Sequence, residues 1–184
     1  MRKIIALSFI AACIFYCNSV IAQSHQVLIK ALDGTTLLNG GSVVPGHTGE
    51  IDGLSFSQGE SGCPSGTTGC QTSTSEFNFM MSINPASVLF KKLLYNGTKL
   101  TSVDVYMIKP GTTAFTYYKI RMEDVTITSV QESASSEYPT FAISLSPSRI
   151  AWQQRKQRAD GSGGDKTTYG WDVQSNAEWN YVFP

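Results

Sequence analysis

Between Phe115 and Glu132 the apolar side chains recur at every second position, as Tyr118, Ile120 and Met122 and then as Val125 and Ile127. A period of two marks a strand with one face against a core. The phase slips by one across Glu123-Asp124. Such a slip turns every later side chain to the opposite face unless an extra residue absorbs it. The spacing predicts one long strand carrying a bulge at that point.

The rest of the chain supplies partners of the same kind. Val27 to Leu32 reads as a first strand stopped by Asp33-Gly34. The glycine-rich stretch that follows, with Pro45 in it, is expected to be an extended loop or a loose hairpin. Ile51, Leu54 and Phe56 mark a second strand, in which Gly53 suggests a bulge or a close backbone contact. Phe77, Phe79 and Met81 alternate with Asn78, Met80 and Ser82, and Val103, Val105 and Met107 share a face before a turn at Lys109-Pro110-Gly111. Phe141, Ile143 and Leu145 resume the period, Pro147 breaks it, and Ile150 with Trp152 restart it. Gly161 to Lys166 reads as a flexible loop, and the aromatic-rich stretch Trp171 to Phe183 is expected to pair back into the sheet.

One helix interrupts the strands. Asn84 suits an N-cap, Pro85 suits the first helical position where a missing N–H costs nothing, and Gly97 suits termination. Val88, Leu89, Phe90, Leu93 and Leu94 are expected to form its apolar face, with Lys91, Lys92 and Asn96 outside it. Many strands, Gly/Ser turns and one short helix predict a mainly antiparallel β barrel or two-sheet sandwich.

Residues 1–22 are expected to be a signal peptide rather than fold. Arg2 and Lys3 form a positive start, Ile4 to Tyr16 is nearly continuously apolar, and Val20-Ile21-Ala22 precedes a cut ahead of Gln23. A lipoprotein signal ending at Ile10-Ala11-Ala12-Cys13 competes, but the apolar stretch before Cys13 is short and continues past it. The mature chain, 23–184, keeps 12 basic and 14 acidic side chains and so offers no basic footprint for nucleic acid. Its length suits a single domain, and no later apolar run reaches membrane-spanning length. Cys63 and Cys70 then remain, in the turn-rich loop ESGCPSGTTGCQ. Two cysteines so spaced in an oxidising compartment are expected to form a disulfide, worth roughly 2.5 kcal/mol in the chain-entropy model. A metal site would need four ligands, and no histidine is near.

Catalytic chemistry finds little purchase, and no enzyme activity or cofactor is expected. His25 and His47 read as ordinary exposed histidines without partner spacing to a carboxylate or cysteine. Asp33, Asp52, Asp104 and Asp124 read as turn and surface carboxylates rather than acid–base pairs. No Gly-x-Ser-x-Gly turn occurs, and Gly161-Ser162-Gly163-Gly164 lacks the Lys-Ser/Thr of a phosphate loop. Arg149, Arg155, Lys156 and Arg158 read as a solvated basic face or as one side of a subunit contact. Trp152, Trp171 and Trp179 with Tyr117, Tyr118 and Tyr169 suggest a ligand platform, although core packing accounts for most of them. The tail Trp179 to Pro184 is the exception, as a strand that could add to a neighbouring sheet edge.

In order and spacing, the blocks GEIDGLSFSQG, EFNFMMSINPASVLFKKLLYNG, LTSVDVYMIK, YYKIRMEDVTITSV, FAISLSPSRIAWQQ and GWDVQSN resemble the haemolysin-coregulated protein (Hcp) family. These are tube subunits of type VI secretion systems, and the similarity runs from about Val27 to Asn176. It implies a closed barrel of two packed sheets with a short helix at one side. It further implies an extended loop, here Gly34 to Gly46, reaching to a neighbour, and hexameric rings that stack and carry effectors. Two features depart from the family: the signal peptide and the cysteine loop. They leave open a monomeric, exported binding module or effector that has borrowed the fold, destined for the periplasm or the medium.

Overall fold

A computed structural model describes residues 25–63, 71–110, 114–135 and 138–184. The signal segment 1–22 and Cys70 lie outside the described residues. The strands are β1 (Gln26–Asp33), β2 (Thr36–Leu37), β3 (Ile51–Ser57), β4 (Glu60–Ser61), β5 (Ser73–Thr74), β6 (Phe77–Ser82), β7 (Leu100–Lys109), β8 (Phe115–Ser133), β9 (Thr140–Ser146), β10 (Arg149–Gln157), β11 (Gly163–Asp172) and β12 (Ala177–Glu178), with helix α1 (Pro85–Asn96) between β6 and β7. Six strands in the order β8-β7-β1-β3-β6-β9 close into an antiparallel barrel because β9 returns to pair with β8. The closed, mainly β architecture with one short helix is the one expected.

The long strand explains how a barrel and an annex share one sheet. Ile120 and Met122 are buried in its first half and Val125 and Ile127 in its second, with Asp124 at φ 50° between them. The side-chain phase slips there as expected, but no bulge absorbs it: β7 slips in step, with Leu100 opposite Val125 and Ser102 opposite Glu123 in one register, and the register shifts along β8 fall instead at Met107/Ile108 and Ile127/Ser129. On the opposite edge the strand changes partners. β9 and β10 run one after the other along the same side of β8, pairing Thr126 with Ser146 and Glu123 with Arg149. Pro147 sits in the gap, where it has no N–H to offer, and the N–H of Ser148 donates to the carbonyl of Glu123 at 3.1 Å. On the other side, β9 pairs with β6, whereas β10 pairs with β11. Pro147 is therefore where the strand leaves the barrel wall and enters the annex of β10, β11 and β12.

The interior is packed rather than hollow. β6 alternates buried and exposed along its whole length, placing Phe77, Phe79 and Met81 inside with Ile29, Ile51 and Ile143. Gly53 marks the irregularity expected of it, and what crowds it is side chain rather than backbone. The β3–β6 register shifts beside it, and a Cβ there would lie 3.0 Å from Val27 Cγ1.

Helix α1 has the expected ends. Asn84 Oδ1 accepts from the Ala86 N–H at 2.9 Å, the Asn84 N–H donates to Ser87 Oγ at 3.1 Å, and Gly97 closes the helix at φ 64°. Its buried stripe differs from the expected one. Ala86, Ser87, Phe90 and Leu93 face the barrel, while Val88 is 70% exposed and Leu89 is also exposed. Positions 86, 90 and 93 lie within one turn-to-turn stripe, and Val88 stands about 160° around the axis from that stripe's centre. Phe90 makes the anchor, edge-on to Phe79 at 5.8 Å.

Candidate assembly surfaces and an aromatic cavity

The glycine-rich loop is not slack. Backbone bonds from Gly40 N to Gly49 O, Ser42 N to Glu50 O and Gly49 N to Ser42 O tie its two limbs together. Ser42 Oγ donates to Asp52 at 2.9 Å. Gly40 lies so close to β3 that a Cβ would meet Ile51 Cα at 2.5 Å. The limbs hold out a tip at 43–46, where Val43 is 86% exposed. His47 anchors the base. Its Nδ1 lies 2.7 Å from Glu50 Oε2, and its ring packs on Tyr106 at 4.8 Å. The expectation of a free, exposed His47 is thus corrected: the partner is three residues away, and only the tight turn at 46–49 brings the two together.

The outer faces of β7, β8 and β10 carry an ion network. Arg121 bonds Asp104 at 2.9 Å and Glu123 at 3.3 Å, and Arg149 reaches Glu123 at 3.2 Å and Asp124 at 3.5 Å. Burial pushes the Asp104 carboxyl above its ordinary range, against the pull of Arg121, and burial likewise raises the Tyr106 phenol. The C-terminal tail covers this network. β12 pairs with Trp171 and Asp172 of β11, Trp179 N donates to Gly170 O at 2.9 Å, and the guanidinium of Arg121 lies 5.8 Å from the Tyr181 ring. Arg149 lies over Trp179 in the same way, 5.2 Å from its ring. The tail thus pairs back as expected, and beyond Glu178 it folds over its own sheet. The reason is local: Gly170 has no side chain, so the Trp179 carbonyl comes within 2.3 Å of where a Cβ would stand.

Among the described residues, that arrangement leaves one long edge open. β11 pairs with β10 throughout, but β12 covers only Trp171 and Asp172 on its other side. Residues from Asp165 to Tyr169 are exposed there. Because Gly170 turns its carbonyl outward to the tail, the strand's two-residue period points the backbone groups of Thr168 outward as well. The stretch from Gly161 to Lys166, expected as a flexible loop, is a turn at 159–161 that leads straight into β11.

The aromatic side chains divide between core and cavity. Trp152 and Tyr169 are cross-strand partners whose planes differ by 10°, and Tyr169 continues the row to Trp171. Trp152 and Tyr169, but not Trp171, join Phe56, Gln58, Glu60, Tyr118 and Ile120 in lining a cavity of about 410 Å³ between β3, β4, β8, β10 and β11. Trp152 Nε1 donates to Gln58 Oε1 at 3.4 Å, and Gln58 Nε2 is buried with no acceptor among the described residues. Sequence reading raised the platform; it missed Gln58 and Glu60, which alternation alone places only on a strand end.

The remaining candidates stay apart. His25 meets the Tyr117 hydroxyl at 3.1 Å, and Asp33 lies at the end of β1 beside the Gly34 turn. Arg155 lies over the Phe115 ring at 5.8 Å, whereas Arg149 joins the ion network, so the four-residue basic cluster is split. Cys63 is partly buried just beyond β4, and its expected partner Cys70 is not among the described residues. Among the described residues, no three His, Cys, Asp or Glu side chains are grouped to hold a metal, and no helix is long and apolar enough to cross a membrane.

The molecule is thus a small closed barrel with a sheet annex, whose outer face carries the ion network of Arg121, Asp104, Glu123 and Arg149. The family model described as "Type VI secretion system effector, Hcp" matches residues 29–154, and the chain belongs to that family. None of the curated proteins matches the sequence. Among solved structures, one described as a type six secretion system protein aligns with a TM-score of 0.75 at 22% identity, covering 85% of this chain and 100% of that one. Hcp1 from Salmonella typhimurium aligns at 0.70 and 23%, covering 85% and 99%. A type VI secretion system effector from Yersinia pestis aligns at 0.66 and 25%, covering 80% and 99%. The fold is that of the Hcp proteins.

Proposed function

We propose that this chain is a non-enzymatic structural protein that is exported and assembles with copies of itself into a hexameric ring able to stack and carry effectors. The observation that carries the reading is the open outer edge of β11 in a chain of this family. An unpaired edge invites strand addition from another chain. The exposed tip at Val43, held out on a braced loop, supplies a second contact, and the exposed Val88 and Leu89 on α1 a third. Export rests on the sequence of residues 1–22, and a Cys63–Cys70 disulfide would suit the compartment that follows.

The test is light scattering on the mature protein as it leaves a sizing column, where the species should have the mass of six subunits. Thr168→Pro removes an outward N–H without touching the β10 ladder, and should shift the mass to one subunit with the strand circular dichroism unchanged. A wild-type protein monomeric at all concentrations tested would instead identify an exported binding module and defeat the ring.

A further inference from the structure

A second cavity, of about 280 Å³, lies on the outer face of the sheet, where β8, β10 and β11 meet the end of the tail. We propose that it is a binding site for a phosphate monoester dianion. Three cationic side chains line it: Lys119, Arg155 and Lys166. The strand registers put them there. Lys166 is the cross-strand partner of Arg155, Lys119 is the partner of Gln153, and Gln153 and Arg155 share a face of β10. Like charges directly opposite one another on a sheet repel. Among the described residues none of the three is in an ion pair, and the carboxylate of Pro184, at the cavity's border, is not paired with them either. The carboxylate that Lys119 does feel, Asp104, is held by Arg121 at 2.9 Å. Burial, then the charges of Lys166 and Arg155, push the Lys119 ammonium below its ordinary value. An anion seated among the three would turn that repulsion into attraction.

Two further features make this a built site rather than a charged surface. Gln153 is only 4% exposed, lines the cavity, and has no hydrogen-bond partner for its amide among the described residues. The amide is not among the polar atoms sealed from water, so the access it keeps is toward the cavity. A ligand oxygen would supply the partner that a buried amide needs. Arg155 is preset as well. Its guanidinium lies 5.8 Å from the centre of the Phe115 ring and so close to Gly163 that a Cβ there would overlap it, while Nε points to the Gly164 carbonyl at 3.5 Å. A planar fork held in this way loses little freedom on meeting an oxyanion. The donors then select the ligand. A carboxylate brings a single charge and two oxygens, which leaves part of the set unmet. A phosphate monoester brings close to two charges and three free acceptor oxygens, enough for both ammonium groups, the guanidinium and the Gln153 N–H together. The volume lies just below the range of drug-sized sites, so the carbon part of the ester is small.

The test reads ligand binding and oligomer mass separately on the full mature chain. Glucose 6-phosphate, inorganic phosphate and acetate are titrated by calorimetry at fixed ionic strength. Glucose 6-phosphate should saturate a single site per chain, inorganic phosphate should bind there no more tightly, and acetate should not bind. Lys119→Gln and Arg155→Gln should each weaken the ester by about tenfold or more. Lys92→Gln removes the same charge from the exposed side of α1 and should leave binding unchanged. All three variants should keep the wild-type circular dichroism and oligomer mass. A wild-type monomer that binds the ester in this way would defeat the ring and keep the site. The assignment is overturned by no saturable binding of the ester, by acetate or inorganic phosphate binding more tightly than the ester, or by losses that do not distinguish the cavity variants from Lys92→Gln. A change of mass in Lys119→Gln or Arg155→Gln would likewise overturn it, because the cavity would then be a contact between copies.

Discussion

Asp104 shows how a single ionisable group is held in a compromise. It has Arg121 at 2.9 Å, yet burial dominates and raises its carboxyl above the ordinary value of 3.8. A raised carboxyl means that folding favours the protonated form. Its contribution to stability is complete below the ordinary value and is lost as pH rises through the raised one. Asp104→Asn gives up the ion pair, and its deficit against the wild type should shrink as pH goes from about 4 to 7 in thermal melts at fixed ionic strength. A deficit that widens over that range would mean the ion pair outweighs burial. The cysteines are also decided at this scale: alkylation of the mature protein without reductant should leave both Cys63 and Cys70 unlabelled, and labelling of either refutes the bridge.

Single elements were legible in the sequence wherever a local rule dictated them. The change of buried face at Asp124 followed from a one-residue phase slip, although β7 slips with it and no bulge is needed, and both ends of α1 followed from cap chemistry. The buried stripe of α1 did not follow, because five apolar residues crowd the seven positions from Val88 to Leu94 and only the barrel selects which of them it covers. The corrected stripe makes a sharp prediction. Phe90→Ala should destabilise by about 3–5 kcal/mol in urea titrations, whereas Val88→Lys should stay within about 0.5 kcal/mol. Similar losses from the two would restore the stripe read from sequence. The cavity was half legible for a related reason. Aromatic residues two apart on a strand announce a row, but Gln58 and Glu60 join them only when β3 is brought opposite β10 by the closure of the barrel.

At the scale of the whole molecule, the barrel and its annex depend on β8 in different ways. The second half of β8 closes the barrel against β9, while the first half lends its edge to β10. The number of strands and their order were beyond sequence reasoning, since pairing partners far apart in the chain leave no mark on each other's pattern. What sequence did supply was Pro147, the point at which one strand exchanges neighbours.

That exchange has a mechanical consequence. A load applied at the C-terminus meets the annex first, where antiparallel strands can be unzipped a bond pair at a time. Beyond Pro147 the same tug reaches a stave held by β8 on one side and β6 on the other. Single-molecule stretching from the two ends should therefore show a weak early rupture releasing the segment after Pro147, then a distinctly stronger one for the rest. One undivided rupture would mean that the annex and the barrel yield as a single body.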